Sequence, residues 1–277
     1  MRLLSILLVL SILLSGCATT NNKIASNSPK QTSTQIERGM QIWPVDILTN
    51  ILALPVKLML WNWNFSNHHI TRKTEEQVRQ FLTDNQLETV RVRLNAYDPI
   101  DDFRRLFTNQ EVALPLRLIN IPFALIDPFL GRFIGGIIIS DFYDPFSNTV
   151  YVYSDDPAIA LHELGHAKDF AKQDYKGLYA VSRILPFVAL FQEQEATDNA
   201  IHYYQEKGMT DDELRAYKVL YPAYFSYIGG ILPVYPIGYV SAIFFGHFYG
   251  RSIAKQRADL YRQVEQGKKD RPLTPTT

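Results

Sequence analysis

The chain is 277 residues long, its 28 Lys and Arg balance 28 Asp and Glu, and it carries a single cysteine. With no net charge and no basic run it is a poor partner for nucleic acid, and one thiol excludes a disulfide within the chain. Neither a glycine-rich phosphate loop nor a Gly-x-Ser-x-Gly elbow occurs, which argues against nucleotide-dependent and serine-hydrolase chemistry.

Arg2 followed by the apolar run Leu3 to Leu14 has the form of an export signal, too short for a stable spanning anchor. The run ends in Leu14-Ser15-Gly16-Cys17, which resembles a bacterial lipobox. The resemblance implies cleavage before Cys17, lipidation of that cysteine and export to the cell envelope. Ala18 after the cysteine, in place of Asp, implies the outer membrane, facing the periplasm. An ordinary signal peptide or a short membrane anchor is the plainer alternative. Loss of Arg2 with residues 1–16 leaves 28 − 1 = 27 basic against 28 acidic residues, still neutral. Residues 17–39 are expected to form a flexible tether, rich in Asn, Ser, Thr and Lys as far as about Gln35. Residues 40–266 make one domain-sized unit, and 267–277 read as a polar, proline-containing disordered tail.

Within the domain, Ile42 to Trp63 is apolar, and Trp43, Trp61 and Trp63 are of a type suited to a membrane interface. His68-His69 is expected in a loop. Thr74-Glu75-Glu76-Gln77 has a capping-box pattern that opens a helix through Val78, Phe81 and Leu82. Glu88 to Leu94 alternates as a half-buried strand, with Arg91 and Arg93 turned to solvent, the plainer reading, or to a substrate groove. Asp101 to Phe107 predicts a short helix, and Val112 to Ile139 is a second apolar stretch. Gly136 to Ser140 and Thr149 to Tyr153 are β-rich, and Asp144-Pro145-Phe146-Ser147-Asn148 between them is turn chemistry. Together they predict a β-hairpin, whose exposed strand could hold an extended peptide by main-chain hydrogen bonds.

Asp156-Pro157 follows as an N-cap with proline at the first helical position. Ile159, Ala160, Leu161, Leu164, Ala167 and Phe170 give the helix an apolar side. It carries His162-Glu163-Leu164-Gly165-His166. Histidines four apart lie nearly in line on a helix, so both rings can reach one metal ion. Glu163 sits at the rim of that face, where it can take a proton from a water activated by the ion. Glu193-Gln194-Glu195-Ala196-Thr197-Asp198-Asn199-Ala200 predicts a second helix, stopped near Gly208 and able to return beside the first. It offers a carboxylate as third ligand and leaves a fourth position open.

Thr210-Asp211-Asp212-Glu213 caps a further helix. Val219 to Gly250 then contains no Lys, Arg, Asp or Glu, is interrupted by Pro222, Pro233 and Pro236, and is rich in aromatics. It reads as a buried helical pair, an interfacial hairpin or a true membrane span. His247, Tyr203 and Tyr204 are candidate transition-state donors, His202 a weaker one. A lone histidine among aromatics is more often a hydrogen-bonded core residue.

From Asn148 to about Lys207 the chain resembles the gluzincin group of HExxH zinc metallopeptidases, nearest the prenyl-protease/HtpX-like and ImmA/IrrE-like families. In those families the second helix bears Glu-x-Glu-Ala or Glu-x-x-Ala followed by Asp or Asn, and its leading glutamate binds zinc. The pattern places the third ligand at Glu193, with Ala196 and Ala200 in matching positions. Thr197 stands where the families carry Asp or Asn, and Asp198 comes one residue late, which keeps Glu195 as a rival ligand.

An α+β fold is therefore expected, with a small antiparallel sheet packed by helices and the metal helix against it. The function implied is a lipid-anchored, zinc-dependent peptidase of the cell envelope. Zn²⁺ would be held by His162, His166 and Glu193, with Glu163 as general base and an envelope peptide or protein as substrate. The alternatives are a non-catalytic envelope lipoprotein that scaffolds or binds a partner on the same fold, and an integral-membrane protease.

Overall fold

A computed structural model describes residues 35–136, 140–231 and 236–269. The expected signal segment, Cys17 and the chain to residue 34 lie outside the described residues, as do 270–277. The first half runs β1 (Ile36–Arg38), α1 (Trp43–Leu52), α2 (Leu54–Leu60), α3 (Arg72–Asp84), β2 (Arg91–Leu94), α4 (Pro99–Thr108), α5 (Leu114–Ile119) and α6 (Ile121–Phe133). The second half runs β3 (Phe142–Asp144), β4 (Thr149–Val152), α7 (Pro157–Ala171), α8 (Lys176–Ser182), α9 (Pro186–Glu206), α10 (Thr210–Ile231) and α11 (Ile237–Lys269).

The fold is α+β, with one four-stranded sheet in the order β1-β2-β4-β3. The sheet is mixed rather than antiparallel: β1, β2 and β4 run parallel, and only β3 pairs antiparallel with β4. The connections explain the difference. Helices α1–α3 link β1 to β2 and α4–α6 link β2 to β4, as parallel neighbours require, whereas a short turn joins β3 to β4. That turn is closed by the Asp144 carboxylate, which accepts from Phe146 N at 3.0 Å and Ser147 N at 3.2 Å. It fixes the register Asp144↔Thr149, and the described first strand of the hairpin is Phe142–Asp144. Residues 137–139 of the expected strand lie outside the described residues.

Helices cover both faces of the sheet. Val92, Leu94, Val150 and Val152 enter the main core with Val78 and Phe81 of α3 and Leu161 and Leu164 of α7. On the other face, Tyr153 donates to Pro128 O of α6 at 3.1 Å. Arg93 is wholly buried there, which corrects its expected exposure: it meets Asp102 Oδ1 at 2.7 Å, Asp101 Oδ2 at 2.9 Å and the Glu37 carboxylate. Alternation alone assigned that face to solvent, because it carries no information on what packs there.

Several boundaries move. Residues 36–38 belong to β1 and not to the tether, and Gln35 Nε2 donates to Leu87 O at 2.6 Å and Val90 O at 3.0 Å. α11 continues to Lys269, past the expected start of the tail at residue 267. α3 begins at Arg72 with Thr71 as N-cap, so Thr74 lies inside the helix. Both threonine hydroxyls donate to Asp155 Oδ1, at 2.9 and 2.6 Å, tying α3 to the segment just before α7.

The described residues of the charge-free stretch form the packed antiparallel ends of α10 and α11; residues 232–235, with Pro233, lie outside the described residues. Pro222 lies inside α10 rather than ending it. Gly229, Gly246 and Gly250 sit where a Cβ would come within 3 Å of the opposing helix. No single helix among the described residues is long and apolar enough to cross a membrane. The pair is buried on one side only: Ile237 is 75% and Phe248 74% exposed.

Candidate metal centre

Helix α7 begins as its sequence dictates. Asp156 is the N-cap and accepts from Ala158 N at 3.1 Å, with Pro157 at the first helical position. Its other oxygen takes Asn62 Nδ2 at 2.8 Å and Arg215 at 2.7 Å, so this buried carboxylate also fixes α7 to α10 and to the loop after α2. Ala160, Leu161, Leu164 and Ala167 bury the inner side of α7. That leaves His162 and His166 on one side with ring centroids 4.8 Å apart.

α9 crosses close to this helix because position 165 is glycine. A Cβ there would stand 2.6 Å from Ala196 O and 3.0 Å from Ala196 Cα, both backbone atoms of α9. The approach brings Glu193 between the imidazoles: His162 Nε2 lies 3.1 Å from Glu193 Oε2, and His166 Nε2 lies 3.4 Å from Glu193 Oε1. Gly165→Ala is expected to push the helices apart and to destabilise the protein by about 1–3 kcal/mol. Denaturant unfolding checks this; an unchanged midpoint would mean that the helix contact does not constrain the site.

One ligand-capable atom each from His162, His166 and Glu193 lies within 4.8 Å of the others. Ligand atoms around a tetrahedral zinc with bonds of 2.0–2.2 Å stand about 3.3–3.6 Å apart; the 3.4 Å contact of His166 to Glu193 falls in that range, and the 3.1 Å contact of His162, to the other carboxylate oxygen, is slightly shorter. Thr197 Oγ1 is 3.3 Å from His162 Nδ1, a hydrogen bond that fixes the orientation of that ring. Glu195, two positions along α9, is not part of this cluster.

The electrostatics suit a cation. Burial pulls the His166 imidazole down to about 4, leaving it neutral at physiological pH, as a metal ligand must be. Burial also opposes charge on Glu193, but the two histidines outweigh it and hold that carboxyl well below its usual range. For His162 burial is outweighed by Glu193, and the ring is raised. Burial pushes Glu163 up to about 8, with His162 opposing. A divalent cation beside Glu163 would favour its ionised form.

Two hollows meet here. A cleft of about 310 Å³ is lined by His166, Glu163, Arg183, Tyr179 and the β3 residues Phe142 and Tyr143. A larger, mainly apolar groove of about 560 Å³ runs from His162 and Glu163 between α2, α10 and α11. Among the described residues β3 has no strand on its outer side, and its Phe142 and Tyr143 line the cleft.

Arg183 and Tyr227 were not singled out by the sequence. Arg183 donates to Glu193 Oε1 and to Gln192 Oε1, the latter at 3.3 Å. It is the one charged residue between Lys176 and Glu193, a signal that could have marked it. Tyr227 lines both hollows, and the charge of Glu193, then burial, raises its hydroxyl. Nothing distinguishes it in sequence from its aromatic neighbours.

The expected donors lie elsewhere. His247 Nε2 donates to Met59 O at 2.9 Å, and the ring stacks on Trp61 with centroids 4.3 Å apart and meets Arg251, so it fastens α11 to α2. Tyr203 donates to Asp84 at 2.8 Å and Tyr204 to Gln77 at 3.0 Å, both packing contacts with α3. His202 is exposed. His68 is in a loop as expected and bonds Asn95 Oδ1 at 2.8 Å, while His69 meets Gln41. Comparison with protein-family models, curated proteins and solved structures finds no match to this chain.

Proposed function

We propose that this chain is a zinc-dependent peptidase of the bacterial cell envelope, anchored by lipid on Cys17 and facing the periplasm. One observation carries the enzymatic part of this reading: two neighbouring imidazoles and a buried, ionised carboxylate each offer a ligand atom within 4.8 Å of the others, close enough to share one ion, with a buried glutamate beside them. Zinc held by His162, His166 and Glu193 would supply Lewis acidity toward a carbonyl oxygen and a water. Glu163 would accept the proton of the attacking water and return it to the leaving amine. The edge of β3 would align an extended peptide along the cleft. Arg183 and Tyr227, which line the cleft beside Glu193, would supply donors toward negative charge developing on the carbonyl oxygen.

Metal analysis tests the centre directly. The purified full chain is expected to hold about one zinc per molecule, and His166→Ala to lose it while the chain stays folded. A folded, zinc-free wild-type protein that cleaves no peptide would overturn the reading and leave a non-catalytic envelope protein.

A further inference from the structure

We propose that the outward side of α1 and α2, continued by the paired ends of α10 and α11, docks on a lipid bilayer as an interfacial surface that does not span it. This goes beyond the peptidase reading, and rests on it only for the envelope location.

Helices α1 and α2 are inverted relative to water-facing helices. Their two charged residues are turned inward: Lys57 is 1% exposed and donates to Asn50 Oδ1 at 2.6 Å, and Asp46 meets buried Arg132 at 2.6 Å. The large apolar side chains point out instead, with Trp43 75%, Leu48 53%, Ile51 55% and Leu58 57% exposed. Together the two helices have the length and hydropathy of a membrane-inserted segment, bent by 53°. A bent pair too short to cross singly, with its charges withdrawn, fits a headgroup–acyl boundary better than water or a full span.

The surface extends across α11. Trp61 lies edge-on to Phe244 at 6.4 Å, and beyond it Phe245 is 59% and Phe248 74% exposed. This part of α11 carries no charge before Arg251, whose guanidinium lies 4.5 Å over Trp61. Scattered exposed hydrophobics need no explanation, but an apolar surface of this extent does.

The bilayer is favoured over a second copy of the chain for two reasons. All three tryptophans of the protein, at 43, 61 and 63, are on or beside this surface and 56–75% exposed, the distribution expected at a membrane interface. In addition, only residues 18–34 separate Cys17 from the described chain, a reach of at most about 60 Å. The chain then enters α1 within eight residues of Gln35. Acylation at Cys17 would hold this surface near the membrane. The inner sides of α2, α10 and α11 wall the apolar groove beside His162, so docking would set the candidate centre against polypeptide segments lying at the bilayer surface.

The tryptophans make the test direct. The full chain recovered from the envelope is reconstituted into phosphatidylcholine vesicles with or without bromine on the acyl chains. More than half of the tryptophan emission is expected to be quenched by the brominated lipid. Leu58→Glu combined with Phe245→Glu should reduce the quenching at least threefold while zinc content stays unchanged. Unquenched emission at the wavelength of water-exposed indole would overturn the proposal, whether the chain is then monomeric or sediments as a dimer that covers the surface. The readout does not involve metal or peptide hydrolysis, so it fails independently of the peptidase reading.

Discussion

Glu163→Gln should keep about one zinc per chain and lower peptide hydrolysis by about 10²–10⁴-fold, the range for loss of a positioned general base. Glutamine preserves the size of a side chain that is 8% exposed and lines both hollows, so the fold and the three proposed ligands remain. What disappears is the capacity to accept a proton. Zinc content and turnover measured on one preparation separate the two roles. Loss of metal in this variant would make Glu163 a structural support, and unchanged turnover would remove it from the mechanism.

The same substitution has a signature without metal. Burial raises Glu163 from 4.5 to about 8 in the folded chain, so between those values the folded state holds a proton that the unfolded state has released. Stability of the metal-free protein should therefore be fully present below about pH 4.5 and fall as pH rises through about 8. Glu163→Gln does not titrate and should flatten that slope. Unfolding of chelator-treated protein across this range checks the sign; parallel profiles for the two proteins would show that Glu163 is solvated in the metal-free chain.

The candidate centre was legible because its signals are local. Two histidines and a glutamate at helical spacing, a proline-led cap and a glutamate on the next apolar-faced helix each depend on neighbours in sequence, and the structure brings His162, His166 and Glu193 together as their spacing implies. The rival Glu195 could not be dismissed from sequence, since the choice depends on how α9 is rotated against α7, and Gly165 sets that contact. Strand partners were less accessible. The parallel pairing of β2 with β1 and β4 joins segments more than fifty residues apart, and alternation within one strand does not name its neighbours. Arg183 and Tyr227 reach the site from α8's far end and from α10. Their roles come from tertiary placement alone.

Arg93 shows the same limit and gives the largest expected loss of stability. Arg93→Met is predicted to destabilise the protein by about 3–5 kcal/mol, the cost of stranding the partner of a buried ion pair. Glu37 and Asp101 retain 38% and 27% side-chain exposure and can be solvated when the guanidinium is removed, but Asp102 has none. Burial already lifts Asp102 to about 6 against the pull of Arg93, and without that cation it must rise further. A folded-state value above the unfolded one places the lost stability on the alkaline side. The penalty should therefore be largest near neutral pH and shrink on acidification as Asp102 takes a proton. Arg93→Met with Asp102→Asn should recover part of the loss at pH 7.5, because no charge is then stranded in the sheet. Chemical denaturation of both variants at pH 7.5 and pH 5 decides the matter: a single variant within about 1 kcal/mol of wild type, or a penalty that does not change with pH, would mean that water reaches Asp102 beneath α4 and that the second face of the sheet is not sealed.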